Sequence, residues 1–200
     1  MTPQDRAPGG ELANLEQLEG EARRRGLLLR LQVRHPLALA WTLRVVVARR
    51  GTAAPGTAAA LQLLGELKGW ALPTEDGLRL DTLQVTGRNR GERDLGVAPL
   101  IAAASFAWAL EVTPCRRARI LAIRDGDRQH RRLVRYFGRL GFTPVRELGA
   151  APQDLPARVV WGGTGLLMQG DCREGLRRSL GLLALRDPGP AAERRGDGAP

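Results

Sequence analysis

From Leu12 onward the apolar residues recur with a changing period, and the changes mark the elements. Leu12, Leu15, Leu18 and Ala22 return at helical spacing, which predicts an amphipathic helix over 11–25 stopped by Gly26. Leu29, Leu31 and Val33 then alternate with Arg30, Gln32 and Arg34, the period of a half-buried strand, and His35-Pro36 breaks it. Trp41–Arg50, with Val45-Val46-Val47 inside it, reads as a second strand, followed by an Ala/Gly/Thr/Pro loop over 51–57. Leu61–Leu72 and Leu78–Val85 predict a hairpin around Pro73–Gly77, which completes an antiparallel meander. Pro99–Glu111 is a long apolar helical run that takes its proline in the first turn. Arg117–Ile123 reads as a buried strand, Arg128–Leu140 as a helix and Phe142–Leu148 as a strand. Val159–Met168 is expected to close the sheet, and Glu174–Leu185 to form a terminal amphipathic helix. This order predicts an α/β fold with a central mixed sheet flanked by helices, in one domain over 11–186. The Pro/Gly/charge-rich ends, 1–10 and 187–200, are expected to be disordered.

Composition narrows the class. At 200 residues and 43% hydrophobic content the chain can bury a core of ordinary size. The apolar run 95–110 is shorter than the ~20 residues a membrane span needs. Residues 1–10 have no apolar segment of a signal peptide, and Cys115 and Cys172 lack metal-type spacing, so both read as reduced core thiols of a cytoplasmic protein. No G-x-x-x-x-G-K-[ST] occurs, Ser105 and Ser179 stand outside any G-x-S-x-G, and His35 and His130 are the only histidines. A P-loop nucleotidase and a serine-hydrolase elbow are thereby excluded, and a histidine metal site has little to work with.

The net charge of +10 raises nucleic acid as a partner. All but one of the basic residues are arginine, Lys68 being the exception, and such a bias follows genome composition as readily as function. An anionic small ligand competes better for this charge. The helix 128–140 concentrates it, with Arg128, Arg131, Arg132, Arg135 and Arg139 opposite Leu133, Val134, Phe137 and Leu140.

The chemistry gathers around Arg93-Asp94-Leu95-Gly96-Val97-Ala98. A strand precedes it and a helix follows, so a tight glycine turn would present free backbone N–H groups at the positive end of a helix dipole. Further along, Phe137-Gly138-Arg139-Leu140-Gly141-Phe142 ends a helix on glycine and restarts as a strand. Together these segments resemble the two signatures of the GNAT superfamily of acyl-CoA-dependent N-acyltransferases. Arg93, Gly96 and Ala98 occupy the defining positions of its R/Q-x-x-G-x-G/A pyrophosphate loop, and Gly141-Phe142 those of its Y-x-x-x-G-F segment. The resemblance covers about residues 60–168.

What it implies is a direct attack of an amine on the thioester of acetyl-CoA or another acyl-CoA. The loop Arg93, Asp94, Leu95, Gly96, Val97 and Ala98 would hold the pyrophosphate, with Arg88 and Arg90 near the other phosphates. The pantetheine arm would enter between splayed parallel strands Leu78–Val85 and Arg117–Ile123. His130 stands where the family often has asparagine, and Phe137 where it usually has its tyrosine acid. Phenylalanine cannot protonate a thiolate, so turnover would rely on water, on the adjacent Tyr136, the only tyrosine and the candidate acid, or on a thiolate leaving unassisted. For the base, Asp81 and Glu66 are the carboxylates inside the candidate central strands, Asp81 preferred, because a carboxyl facing a cleft can be raised toward neutrality. Trp41, Trp70, Trp108 and Trp161 read as core rather than substrate platform. Two rival readings stand beside the transferase: a catalytically idle acyl-CoA-binding module, and a basic nucleic-acid or ribosome-associated protein. The acceptor is not legible.

Overall fold

The structure is a computed structural model that describes residues 12–36, 39–51, 60–86 and 95–186. The two expected disordered ends lie outside the described residues, as do Arg88, Arg90, Arg93 and Asp94 of the candidate loop. Helix α1 (Leu15–Arg24) opens on a reciprocal cap: the Gln17 N–H donates to the Asn14 side chain at 2.8 Å, and the Asn14 N–H donates to the Gln17 side chain at 2.9 Å. Strands β1 (Leu28–Arg34), β2 (Trp41–Arg50), β3 (Leu61–Ala71) and β4 (Leu78–Val85) form the predicted antiparallel meander. Helix α2 (Val97–Val112), strand β5 (Arg117–Ile123), helix α3 (Asp127–Arg139) and strand β6 (Thr143–Leu148) follow as expected.

The next segment departs from the sequence reading. Residues 159–161 belong to helix α4 (Leu155–Trp161), and the strand β7 is Gly165–Asp171. Val159 and Val160 look like strand formers, but Pro156 sets the first helical turn and Gly162, at φ 74°, stops the helix. Both valines are exposed instead of covered by a sheet. Helix α5 (Cys172–Ala184) starts where Asp171 caps the Glu174 N–H at 2.9 Å.

The seven strands form one mixed sheet in the order β1-β2-β3-β4-β5-β7-β6, with β4 and β5 its parallel pair. Its two faces differ. One carries Leu29, Val45, Leu67, Leu80, Ala118 and Met168, all buried in a single core with residues of α1, α2, α3 and α5. Helix α2 is apolar all round and buried on nearly every side, as a central helix must be. Its buried Ser105 hydroxyl is satisfied by donating to the Ile101 carbonyl at 2.9 Å. The opposite face bears the cross-strand row Gln32, Arg44, Lys68 and Thr82, exposed to solvent. Only toward β5, β6 and β7 is that face covered, where Leu121, Leu148 and Leu167 pack against Ala157 and Trp161 of α4. Among the described residues no helix is long and apolar enough to cross a membrane.

Candidate active site

Strands β4 and β5 part company early. They pair only at Leu78–Leu80 against Ala118–Ile120. Beyond that point β4 stays on β3 and β5 stays on β7, so a wedge opens whose sides carry peptide groups without a strand partner across it. These are the two strands expected to splay. Asp81 is the first residue past the last paired position of β4. It is also the extra residue of a bulge, since Lys68 pairs with Thr82 while the next residue, Gly69, pairs with Leu80. Gly69 makes that bulge sterically feasible, because a Cβ there would lie 2.4 Å from the Arg79 carbonyl oxygen. The Asp81 carboxyl is raised above the usual carboxylate range by partial desolvation, against the opposing pull of Arg79. Its residue remains open to solvent, so the direction, and not a large displacement, is what counts.

On the open face at the foot of the wedge runs a second cross-strand row: Trp70, Arg79, Arg119 and Gln169. The Arg79 guanidinium carbon lies 4.5 Å from the Trp70 ring centroid and 5.2 Å from that of Trp161. Arg119 donates through Nε to the Gln169 side chain at 3.2 Å. Desolvation, then the nearby Arg119 charge, pull the Arg79 pKa down. Of the four tryptophans, Trp108 is core and Trp41 stacks on His35 with centroids 4.4 Å apart. Trp70 and Trp161 instead bracket a cation, contrary to the expectation that all four serve packing. The signal was in the hairpin: pairing Leu61–Leu72 with Leu78–Val85 puts Trp70 beside Arg79, opposite the buried Leu78 and Leu80.

The cofactor end looks different. Gly96 caps α2 in the left-handed conformation, φ 71°, as a tight turn requires. Leu95 and Ala98 are half-buried, and Gly96 and Val97 are buried. What covers Gly96 is α5: a Cβ built there would meet Leu183 Cδ1 at 2.6 Å and an Arg25 nitrogen at 3.3 Å. Arg25 fixes this arrangement by donating to the carbonyls of Leu183 at 3.1 Å and Arg186 at 3.3 Å, while Glu21 accepts from its Nε at 2.6 Å. The side of Gly96 on which a Cβ would stand is therefore filled by the last turn of α5.

The remaining candidates fall in three places. Glu66 accepts from Arg44 at 2.8 Å and lies 3.3 Å from Lys68, and these cations hold its pKa below the usual range, so it is a paired carboxylate without the raised basicity expected of it. Tyr136 is half-buried and Phe137 buried. Phe137 is 3% exposed and packs edge-on against Phe142, centroids 6.1 Å apart. The Tyr136 hydroxyl is buried without a hydrogen-bond partner among the described residues, and burial pushes its pKa up. A phenol that holds its proton more tightly is a weaker acid than expected. His130 donates from Nδ1 to the Ala122 carbonyl at 3.1 Å, which ties the first turn of α3 to the end of β5. With Arg128, Arg131, Arg135, Val134 and Leu166 it also lines a surface groove of about 640 Å³.

No protein-family model matches the chain, and no curated protein sequence does. Among solved structures, the crystal structure of nourseothricin acetyltransferase is similar over 81% of this chain and 96% of its own, at 12% identity and a TM-score of 0.42. A likeness that shallow decides nothing about the chemistry.

Proposed function

We propose that the protein is an N-acyltransferase that moves an acetyl or longer acyl group from acyl-CoA to an amine by direct attack. The observation that carries this reading is the wedge between β4 and β5 with Asp81 at its foot. Unpaired peptide groups along the wedge suit a pantetheine arm, whose amides need donors and acceptors at strand spacing. An N–H there would also polarise the thioester carbonyl as charge develops on its oxygen. The amine approaches from the open face, where Asp81, its pKa raised, takes the ammonium proton before attack. The tetrahedral intermediate loses the second nitrogen proton to solvent and collapses, the C–S bond breaks and the thiolate leaves. With Phe137 and the Tyr136 hydroxyl buried, that thiolate takes its proton from solvent.

The test combines native mass spectrometry with an acetyl-CoA thiol-release assay over a panel of primary amines. The expected result is bound acetyl-CoA, turnover with some amine, and a drop of about 10²–10⁴-fold for Asp81→Asn, the usual worth of a general base. Failure to bind acetyl-CoA, or an unchanged rate in Asp81→Asn, overturns the reading. The idle acyl-CoA-binding module stays as a second reading, favoured by the burial of Phe137 and of the Tyr136 hydroxyl. It predicts acetyl-CoA binding without turnover of any amine.

A further inference from the structure

Arg79 has an environment that a structural arginine rarely keeps. It is half-buried, flanked by Trp70 and Trp161, and beside a second cation, Arg119. Yet among the described residues no carboxylate lies within ion-pair distance of it, Asp81 acting on it only through its charge, and none of its N–H groups has a hydrogen-bond partner. Arg119 is only partly occupied, through the one bond to Gln169. Burying a guanidinium without a partner costs free energy, and holding two of them together costs more. The indole faces offset part of this cost but give the N–H fork nothing to donate to. The arrangement is that of an anion site waiting for its oxyanion, because a guanidinium fork matches carboxylate geometry with two parallel hydrogen bonds.

The position adds the second half of the argument. Arg79 and Asp81 stand two residues apart on one strand, about 6–7 Å, near enough at the foot of the wedge for each charge to act on the other. A ligand that puts an amine at Asp81 brings any anionic group it carries to Arg79 and Arg119. The negative charge of Asp81 so close by disfavours a dianion more than a monoanion. We propose that the acceptor is an amino-carboxylate, a free amino acid or short peptide, whose carboxylate is held by Arg79 and Arg119 between Trp70 and Trp161. This rests on the transferase reading above for the fate of the amine, while the carboxylate site itself is a matter of binding.

Calorimetry without acyl-CoA therefore tests it directly, using free amino acids and dipeptides, each beside its own carboxamide. The expected result is that at least one acid binds about tenfold or more tighter than its amide, the worth of one charge-assisted bond pair. Arg79→Met should bring acid and amide to parity, Arg79→Lys should keep part of the difference, and Arg119→Gln should reduce it should Arg79→Met fail to fold. Parity in the parent protein, binding by none of the acids, or a preference that survives in Arg79→Met overturns the proposal. So does tighter binding of phosphoethanolamine than of β-alanine, which would make the ligand a phosphate. Thiol release read in parallel separates the two ideas. Equal turnover of acids and amides keeps the transferase and removes the carboxylate site. Acid-selective binding without thiol release keeps the site and removes the transferase.

Discussion

At the foot of the wedge, Asp81, Arg79 and Arg119 stand on strands fixed by backbone pairing, but their charges are left to one another and to solvent. At the first turn of α2 the situation is reversed. Gly96 and Val97 are buried, and Leu183 and Arg25 of two other helices press on the turn. The proposed acceptor end is thus preformed by the sheet, whereas the Gly96 turn of the proposed cofactor end is covered by packing. A sheet position cannot shift without breaking its ladder. The last turn of α5 is held instead by side-chain packing and the two Arg25 bonds to its carbonyls, with no ladder behind it, so it is the more yielding of the two. In the proposed reaction the acceptor meets a rigid site, and acyl-CoA meets one that opens when the end of α5 moves.

The sharpest way to break this comparison is at Asp81. Asp81→Asn should lower acyl transfer by about 10²–10⁴-fold and leave acetyl-CoA affinity within about twofold, because the two ends are built separately. A parallel loss of affinity by calorimetry would show that the ends act as one site. Next in size is Leu183→Ala. Leu183 is 3% exposed, so removing its side chain should cost about 2–5 kcal/mol in urea unfolding. Acetyl-CoA affinity should rise as the turn over Gly96 loosens. A fall would make Leu183 a wall of the cofactor site and not its cover. Smaller again is Phe137→Tyr. A hydroxyl forced into the ring cluster with Phe142 should cost about 1–3 kcal/mol and give no gain in rate. Wild-type stability together with faster turnover would mean that this ring faces the thioester after all.

The meander, the long buried α2 and the two strands that splay could all be read from apolar period, because each is a local pattern that tertiary packing reinforces. The segment 155–171 could not. Val159-Val160-Trp161 has strand-like composition, and the deciding features are Pro156 and Gly162 at the two ends of a short exposed helix. Asp81 was recognisable as a carboxylate in a central strand, but its place past the last β4–β5 pair depends on where that pairing ends, and Gly69 alone hints at the bulge beside it. Glu66 carried the same signal with a different environment, since Arg44 and Lys68 reach it only through the register of β2 and β3. The cover on Gly96 was illegible for another reason. It comes from Leu183, far along the chain, and nothing local to the loop encodes it.

The smallest effect separates the two carboxylates by sign. Glu66 is held below the usual range, first by its bond from Arg44, so its folded form keeps its charge to lower pH than the unfolded chain, where Glu titrates near ~4.3. It therefore contributes stability above that pH, and the contribution is lost as pH falls through the lower, folded value. Asp81 behaves oppositely. Desolvation raises it, so the folded protein binds a proton more readily than the unfolded chain, where Asp titrates near ~3.9. Between that pH and its raised folded value, rising pH costs stability. At neutral pH Glu66→Gln should thus lower the urea midpoint slightly, and Asp81→Asn should leave it equal or raise it. At acid pH, below the lower pKa of each residue, both differences should vanish. A destabilised Asp81→Asn at neutral pH would mean that the charge is held by a partner in the fold, and Asp81 would then be a paired carboxylate like Glu66 and no base.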